Sequence, residues 1–133
     1  PDGKNLYVNN TRNMPVGNHI MAFDVNEDGS LANPREFAKL FIPPWILDKA
    51  DVVTGADGMR MDTAGNIYVA THLGLQIFSS TGEFIGIVHV PIRPTSLAFG
   101  GEDMKTIYFA SPTRLYKIRT NATGLVYPVK QGN

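Results

Sequence analysis

Residues 54–70 of the sequence, TGADGMRMDTAGNIYVA, contain two aspartates five residues apart, Asp57 and Asp62. A carboxylate can ligate a hard divalent cation, which prefers oxygen donors, and it can accept a proton from an attacking water. Aspartate is also a common turn residue, because its side-chain oxygen can bond the backbone a little further along the chain. Both residues are therefore candidates for chemistry and for turn formation.

A short pattern around a tyrosine recurs along the chain. Each copy joins an acidic turn, an aliphatic residue, a tyrosine and an apolar residue: DGKNLYVNN at 2–10, DTAGNIYVA at 62–70 and EDMKTIYFA at 102–110. Tyr68 and Tyr108 are 40 positions apart, a spacing typical of propeller blades, whose period is about 40–50 residues. Tyr7 and Tyr68 are 61 positions apart, so we expect an insertion, which we place at residues 34–54. Asp62 lies in the recurring turn and is predicted to be structural.

Short runs rich in β-branched and aromatic residues, bounded by glycine, aspartate, asparagine and proline, predict an all-β protein. Residues 58–62 are expected to form an inner strand, and NIYVA, LQIF and FIGIVHV to complete a four-stranded blade. SLAF, TIYFA and RLYKIR are expected to begin the next blade. PREFAKL, at 34–40, is predicted to be strand or loop, and the stretch with Trp45 to fold over a blade edge or the channel mouth.

The predicted strands make about three blades, whereas closed propellers usually have about 4–8. Residues 1–133 are therefore expected to form a single propeller fragment. The rest would come from a missing N-terminal half of the propeller or from a second chain.

Composition narrows the choice of partners. Twelve basic and twelve acidic residues cancel, so no charge pattern indicates nucleic acid or an anionic membrane, and a small molecule or a protein is favoured. The absence of cysteine excludes disulfides, thiolate metal sites and cysteine nucleophiles, and it leaves the cytoplasm, the periplasm and the extracellular space open. No Gly-x-Ser-x-Gly elbow, P-loop or dinucleotide fingerprint occurs.

Residues 24–30, DVNEDGS, begin like an EF-hand calcium loop. Such a loop needs glutamate at its twelfth position, where this sequence has Arg35, and it needs a helix where MAFDV indicates a strand. The segment is therefore predicted to be a β-hairpin turn.

Three segments, LAFGGEDMKTIYFA at 97–110, ADGMRMDTAGNIYVA at 56–70 and LQIFSSTGEFIGIV at 75–88, resemble the gluconolactonase and senescence marker protein (regucalcin) family, which includes the luciferin-regenerating enzyme. The resemblance covers most of the chain. It implies a six-bladed β-propeller, of which this chain is about the C-terminal half. It also implies a divalent cation in the central channel, usually calcium, with zinc, magnesium and manganese as alternatives.

The family holds its cation with a glutamate, an asparagine and an aspartate. Only the aspartate position falls within this chain, at Asp57, and Ala56 precedes it where the family has proline. The resemblance therefore implies that Asp57 is a metal ligand and that this chain carries only part of the site. An aspartate beside the cation can also take a proton from the attacking water, so Asp57 is the candidate catalytic base as well.

Three more side chains are expected at the same level of the channel and are candidates for substrate binding. Ser96 opens the next inner strand, His72 follows NIYVA, and Asn10 ends the second strand of its blade. Each also has a structural interpretation, as a strand-start serine, an exposed histidine and a loop cap.

The leading hypothesis is a metal-dependent hydrolase of sugar lactones. The alternative is a non-catalytic propeller that acts as a binding or scaffold module, because a fold does not determine a function. A third hypothesis keeps the metal hydrolase and changes the substrate to organophosphates or aromatic esters, which the resemblance also allows.

Overall fold

The computed structural model describes residues 2–11, 17–46 and 54–126. Within these ranges the chain forms ten β-strands and one short 3-10 turn, and the strands make three antiparallel sheets. No helix in the described ranges is long and apolar enough to cross a membrane. The all-β prediction is confirmed.

Blade 1 contains three strands, β1 (Asn5–Asn10), β2 (His19–Val25) and β3 (Leu31–Lys39), in that spatial order. The turn between β2 and β3 closes with a bond from Asn26 N–H to the Ser30 carbonyl oxygen at 2.9 Å. Residues 24–30 are therefore the end of β2 and the hairpin turn that follows it, as predicted, and not a calcium loop between helices.

Blade 2 has the predicted four strands, β4 (Met59–Met61), β5 (Ile67–Thr71), β6 (Gly74–Phe78) and β7 (Phe84–Val88). Blade 3 has three strands, β8 (Ser96–Gly100), β9 (Thr106–Ser111) and β10 (Arg114–Arg119). The strand order predicted for both blades is confirmed.

Strand β5 joins the two hydrophobic cores, because successive side chains of a strand point to opposite faces of the sheet. Ile67 and Val69 pack into the core between blades 1 and 2, whereas Tyr68 and Ala70 pack into the core between blades 2 and 3. Every residue of β5 is buried. The three sheets therefore stack face to face in chain order, as consecutive propeller blades.

The insertion predicted at residues 34–54 is shorter than expected. Residues 34–39 belong to β3, which is an edge strand and so tolerates Pro34, whose missing N–H would break a central ladder. After Leu40 the chain runs beside blade 2, where the Phe41 ring stacks on Phe84 with ring centroids 5.0 Å apart. Residues 47–53 of the insertion lie outside the described residues.

The Pro-rich part of the insertion directly follows the contact of Phe41 with blade 2. Pro44–Ile46 form the 3-10 turn, and Trp45 is 78% exposed. Phe41, just before this turn, contacts β7, the last strand of blade 2. The blade-edge alternative of the prediction is therefore supported at Phe41, and for Trp45 both alternatives stay open.

Candidate functional site

Asp57 lies just before β4, where the backbone is bonded to three different blades. Its N–H donates to the Ala70 carbonyl oxygen at 2.9 Å, and its own carbonyl oxygen accepts from Asn9 Nδ2 at 2.5 Å. The next residue, Gly58, donates to the Thr95 carbonyl oxygen and accepts from Ala70 N–H, both at 2.9 Å. All the backbone polar groups of this dipeptide are thus bonded, to β1, to β5 and to the segment before β8.

The hydrogen bonding of the Asp57 side chain differs from that of its backbone. Asp57 is exposed, and no hydrogen-bond donor among the described residues contacts its carboxylate. A carboxylate that is held by a fixed backbone and that accepts no bond from the described residues can bind a cation or a proton without first breaking a bond to them.

Ser96 lies directly beside Gly58. A β-carbon on residue 58 would be 2.7 Å from the Ser96 Cα and 3.0 Å from the Ser96 Oγ, so only glycine allows this approach. Ser96 is exposed at the start of β8. The structure thus brings Ser96 next to the dipeptide that carries Asp57.

His72 lies next to the start of the same segment. Its N–H donates to the Thr54 carbonyl oxygen at 2.8 Å, and its ring packs so closely on Gly55 that a β-carbon there would be 2.1 Å from the His72 Nε2. His72 is exposed as a whole, yet its ring is partly covered. Partial burial, and then the charge of Arg93, hold the pKa of His72 below its usual value, so that the imidazole is neutral at neutral pH.

Asn10 ends β1 opposite His19, and its carbonyl oxygen accepts from the Asn18 N–H at 2.7 Å. The preceding residue, Asn9, is the one whose side chain reaches Asp57. Sequence reasoning named Asn10 and missed Asn9. Strand alternation could have identified Asn9, because residues 7 and 9 share one face of β1 and Tyr7 packs toward blade 2.

The second aspartate has a different environment. Asp62 is 2% exposed, and its Oδ1 accepts from the N–H groups of Ala64 and Asn66, both at 2.9 Å. Its Oδ2 accepts from Asn66 Nδ2 at 2.8 Å and from the Tyr68 hydroxyl at 3.1 Å. Burial, and then the charge of Asp62, raise the pKa of the Tyr68 hydroxyl, which remains a donor. The prediction that Asp62 is structural is confirmed.

The other copies of this turn use the same bond. Asp2 Oδ1 accepts from Lys4 N–H at 3.1 Å, and Asp103 Oδ1 accepts from Lys105 N–H at 3.2 Å. Each bond spans two residues, as does the one from Ala64 N–H to Asp62. The acidic turn is therefore a repeated element of the scaffold.

A cation site needs more donors than the described residues bring together. In residues 2–11, 17–46 and 54–126, no group of three or more His, Asp or Glu side chains could hold a metal ion. Asp57 offers one carboxylate, and the Ser96 hydroxyl lies close to the backbone of the next residue, Gly58. Oxygen donors of this kind suit a hard divalent cation, but they make up only part of a coordination shell.

A cavity of about 510 Å³ lies between β1 and β4. Its wall is mostly apolar, with Leu6, Tyr7, Met59, Met61 and Ile67 among the lining residues. None of the predicted site residues lines it. We place the candidate site at the Asp57 end of the blades, because the polar groups converge there.

The three stacked blades define part of a β-propeller, and the polar groups around Asp57, at one end of the blades, are its candidate site. Residues 1–113 match the family model described as SMP-30/Gluconolactonase/LRE-like region, and the chain belongs to this family. The resemblance noted in the sequence is confirmed.

Curated relatives include a gluconolactonase from Zymomonas mobilis, 26% identical over 125 residues, and regucalcin from Gallus gallus, 32% identical over 97 residues. The first match covers 93% of this chain and 34% of the relative, and the second covers 69% and 29%. A lactonohydrolase from Aspergillus oryzae is 27% identical over 108 residues, which are 79% of this chain and 20% of that protein. The chain thus spans about a third or less of the length of these relatives.

Solved structures share the fold. The luciferin-regenerating enzyme superposes with a TM-score of 0.73 at 19% identity, covering 93% of this chain and 44% of that one. A gluconolactonase from Xanthomonas campestris superposes with a TM-score of 0.67 at 24% identity, covering 89% and 34%. The propeller architecture of the chain, and its being part of a larger propeller, agree with the prediction.

Proposed function

We propose that the protein is a metal-dependent hydrolase of sugar lactones and that Asp57 is a ligand of its divalent cation. The observation that carries this proposal is the bonded backbone of Asp57 and Gly58 beneath an exposed carboxylate. Relatives named gluconolactonase and lactonohydrolase support the substrate class. The remaining ligands would come from parts of the propeller outside this chain.

The cation chemistry fits the donors that are present. Calcium is the first candidate because it accepts oxygen ligands in irregular geometry, with zinc, magnesium and manganese as alternatives. When bound, such an ion supplies a Lewis acid that polarises a carbonyl and makes water more acidic.

In the proposed reaction, the Asp57 carboxylate accepts a proton from the attacking water. The water oxygen forms a bond to the lactone carbonyl carbon, and the ring C–O bond breaks. The product is the open hydroxy acid. The protonated Asp57 carboxyl returns its proton to the ring oxygen, which leaves as a hydroxyl.

Ser96 and His72 would orient the substrate. A serine hydroxyl can donate and accept, and a neutral imidazole can do both through its two nitrogens, so either group can bond sugar hydroxyls. Asn10 lies at the end of β1 and is a third candidate for the same role.

The test is Asp57→Asn in the full-length protein. We expect lactone hydrolysis to fall by about 10²–10⁴-fold, the range for loss of a general base, while the far-ultraviolet circular dichroism stays unchanged. Divalent cations should raise the Tm of the wild type and not that of the variant. Wild-type activity in Asp57→Asn would overturn the proposal.

A non-catalytic propeller is the second candidate. A propeller fold does not by itself determine a function, so a binding or scaffold role also fits this chain. It predicts a full-length protein without a cation-dependent rise in Tm and without lactone hydrolysis.

A third candidate is a cation-dependent hydrolase with another substrate. If the protein hydrolyses aromatic esters or phosphotriesters much faster than gluconolactone, the proposed substrate class changes and the proposed role of Asp57 remains.

A further inference from the structure

We propose that Asn9 is a positioning residue that holds Asp57 in place for cation binding. The inference rests on the proposed function, because it assigns to Asn9 a part in the site that contains Asp57. It concerns a residue that would touch neither the cation nor the substrate.

Asn9 makes the bond between blade 1 and the Asp57 segment. Its Nδ2 donates to the Asp57 carbonyl oxygen at 2.5 Å, across 48 residues of sequence. The other backbone bonds of this dipeptide run to Ala70 in blade 2 and to Thr95 before blade 3. Without Asn9, the segment is held from two sides and loses its bond on the third.

The lost bond should affect cation binding more than folding. The Asp57 carbonyl oxygen belongs to an exposed residue, so water can replace the amide of Asn9 at little cost in folding free energy. A coordinating carboxylate, in contrast, must be held within about 0.5 Å of its productive position. Partners that orient a ligand typically change metal affinity by about 10–100-fold when they are removed.

Asn66 provides a matched control. It is also an asparagine whose side-chain amide donates a hydrogen bond to an aspartate, from Nδ2 to Asp62 Oδ2 at 2.8 Å. This bond lies at the opposite end of the hairpin made by β4 and β5. Asn66→Ala removes an amide of the same type from the scaffold and leaves the Asp57 segment unchanged.

The experiment compares Asn9→Ala, Asn9→Leu and Asn66→Ala in the full-length protein. Leucine keeps the branched shape of asparagine and removes the donor. The measurements are the Kd of Ca²⁺ by calorimetry, the Tm without cation, and kcat and KM for gluconolactone. We expect both Asn9 variants to raise the Kd by about tenfold with little change in Tm. We expect Asn66→Ala to lower the Tm and leave the Kd unchanged.

Two outcomes would overturn the proposal: a Kd in the Asn9 variants within about twofold of the wild type, or an equal rise in Kd in Asn66→Ala, which would indicate general loosening. Asp57→Asn separates this failure from that of the proposed function. If Asp57→Asn abolishes cation binding and the Asn9 variants bind normally, the function stands and the role of Asn9 is wrong. If Asp57→Asn binds Ca²⁺ like the wild type, the proposed function is wrong as well.

Discussion

Gly58 and Ser96 are in direct backbone contact across the boundary between blades 2 and 3. A β-carbon on residue 58 would lie 2.7 Å from the Cα of Ser96, a distance that real β-carbons do not adopt. Gly58 N–H also donates to the carbonyl oxygen of Thr95 at 2.9 Å. The inner strands of the two blades therefore meet at the level of Asp57, and they can do so only because residue 58 lacks a side chain.

Gly58→Ala should reduce both stability and activity. The added methyl group meets backbone atoms of Ser96, which cannot rotate away, so the strands must separate at a cost of about 1–3 kcal/mol in folding free energy. The separation should also displace Asp57. Gly86→Ala is the control, because a β-carbon at residue 86 in β7 meets nothing within 4 Å. Thermal unfolding and lactone hydrolysis are measured for both, and equal Tm values would contradict the expectation.

Asp62→Ala should destabilise the fold far more than Asp57→Asn does. The substitution leaves the donors from Ala64, Asn66 and Tyr68 without their acceptor, and of these the Tyr68 hydroxyl is buried. A buried group left unpaired costs about 1–3 kcal/mol, so a loss of at least that size in unfolding free energy is expected from the Tyr68 hydroxyl. Urea titration of the two variants measures the difference. Similar urea midpoints would show that the two aspartates do not have separate roles.

The contrast between these aspartates was visible in the sequence, because the turn around Asp62 recurs in other blades and the segment of Asp57 does not. Strand order was also predictable, since each run of β-branched and aromatic residues is bounded by turn residues. The contact between Asn9 and Asp57 could not be predicted, because it joins residues 48 apart and depends on which face of β1 meets blade 2. The start of the insertion was not predictable either, because residues 34–40 were compatible with strand or loop, and an edge strand such as β3 tolerates Pro34.

The stability of the protein should fall as the pH drops below 6.5, in part because of His72. The pKa of His72 in the folded chain lies below its usual 6.5, owing first to partial burial and then to Arg93. Between these two pKa values the unfolded chain binds more protons than the folded one, so acidification favours unfolding. His72→Asn should flatten the fall in Tm with pH, and Arg93→Gln should flatten it less. The Tm measured from neutral to mildly acidic pH gives the comparison, and identical slopes in wild type and His72→Asn would exclude this contribution.

Gln76→Leu should release the start of the insertion from blade 2. The Gln76 side chain is fully buried, accepts from the Phe41 N–H at 2.8 Å and donates to the Phe41 carbonyl oxygen at 3.0 Å. Leucine has a similar volume and can make neither bond, so both backbone groups lose their partner, at about 1–3 kcal/mol for each group that stays buried. The stacking of Phe41 on Phe84 remains, which limits the change to the local segment. We therefore expect faster proteolysis within residues 40–46, with a modest fall in Tm. Phe84→Leu, which removes the stacking and keeps both hydrogen bonds, is the control, and it should accelerate proteolysis less. Equal protease resistance of Gln76→Leu and the wild type would show that the two bonds to Phe41 do not hold the segment.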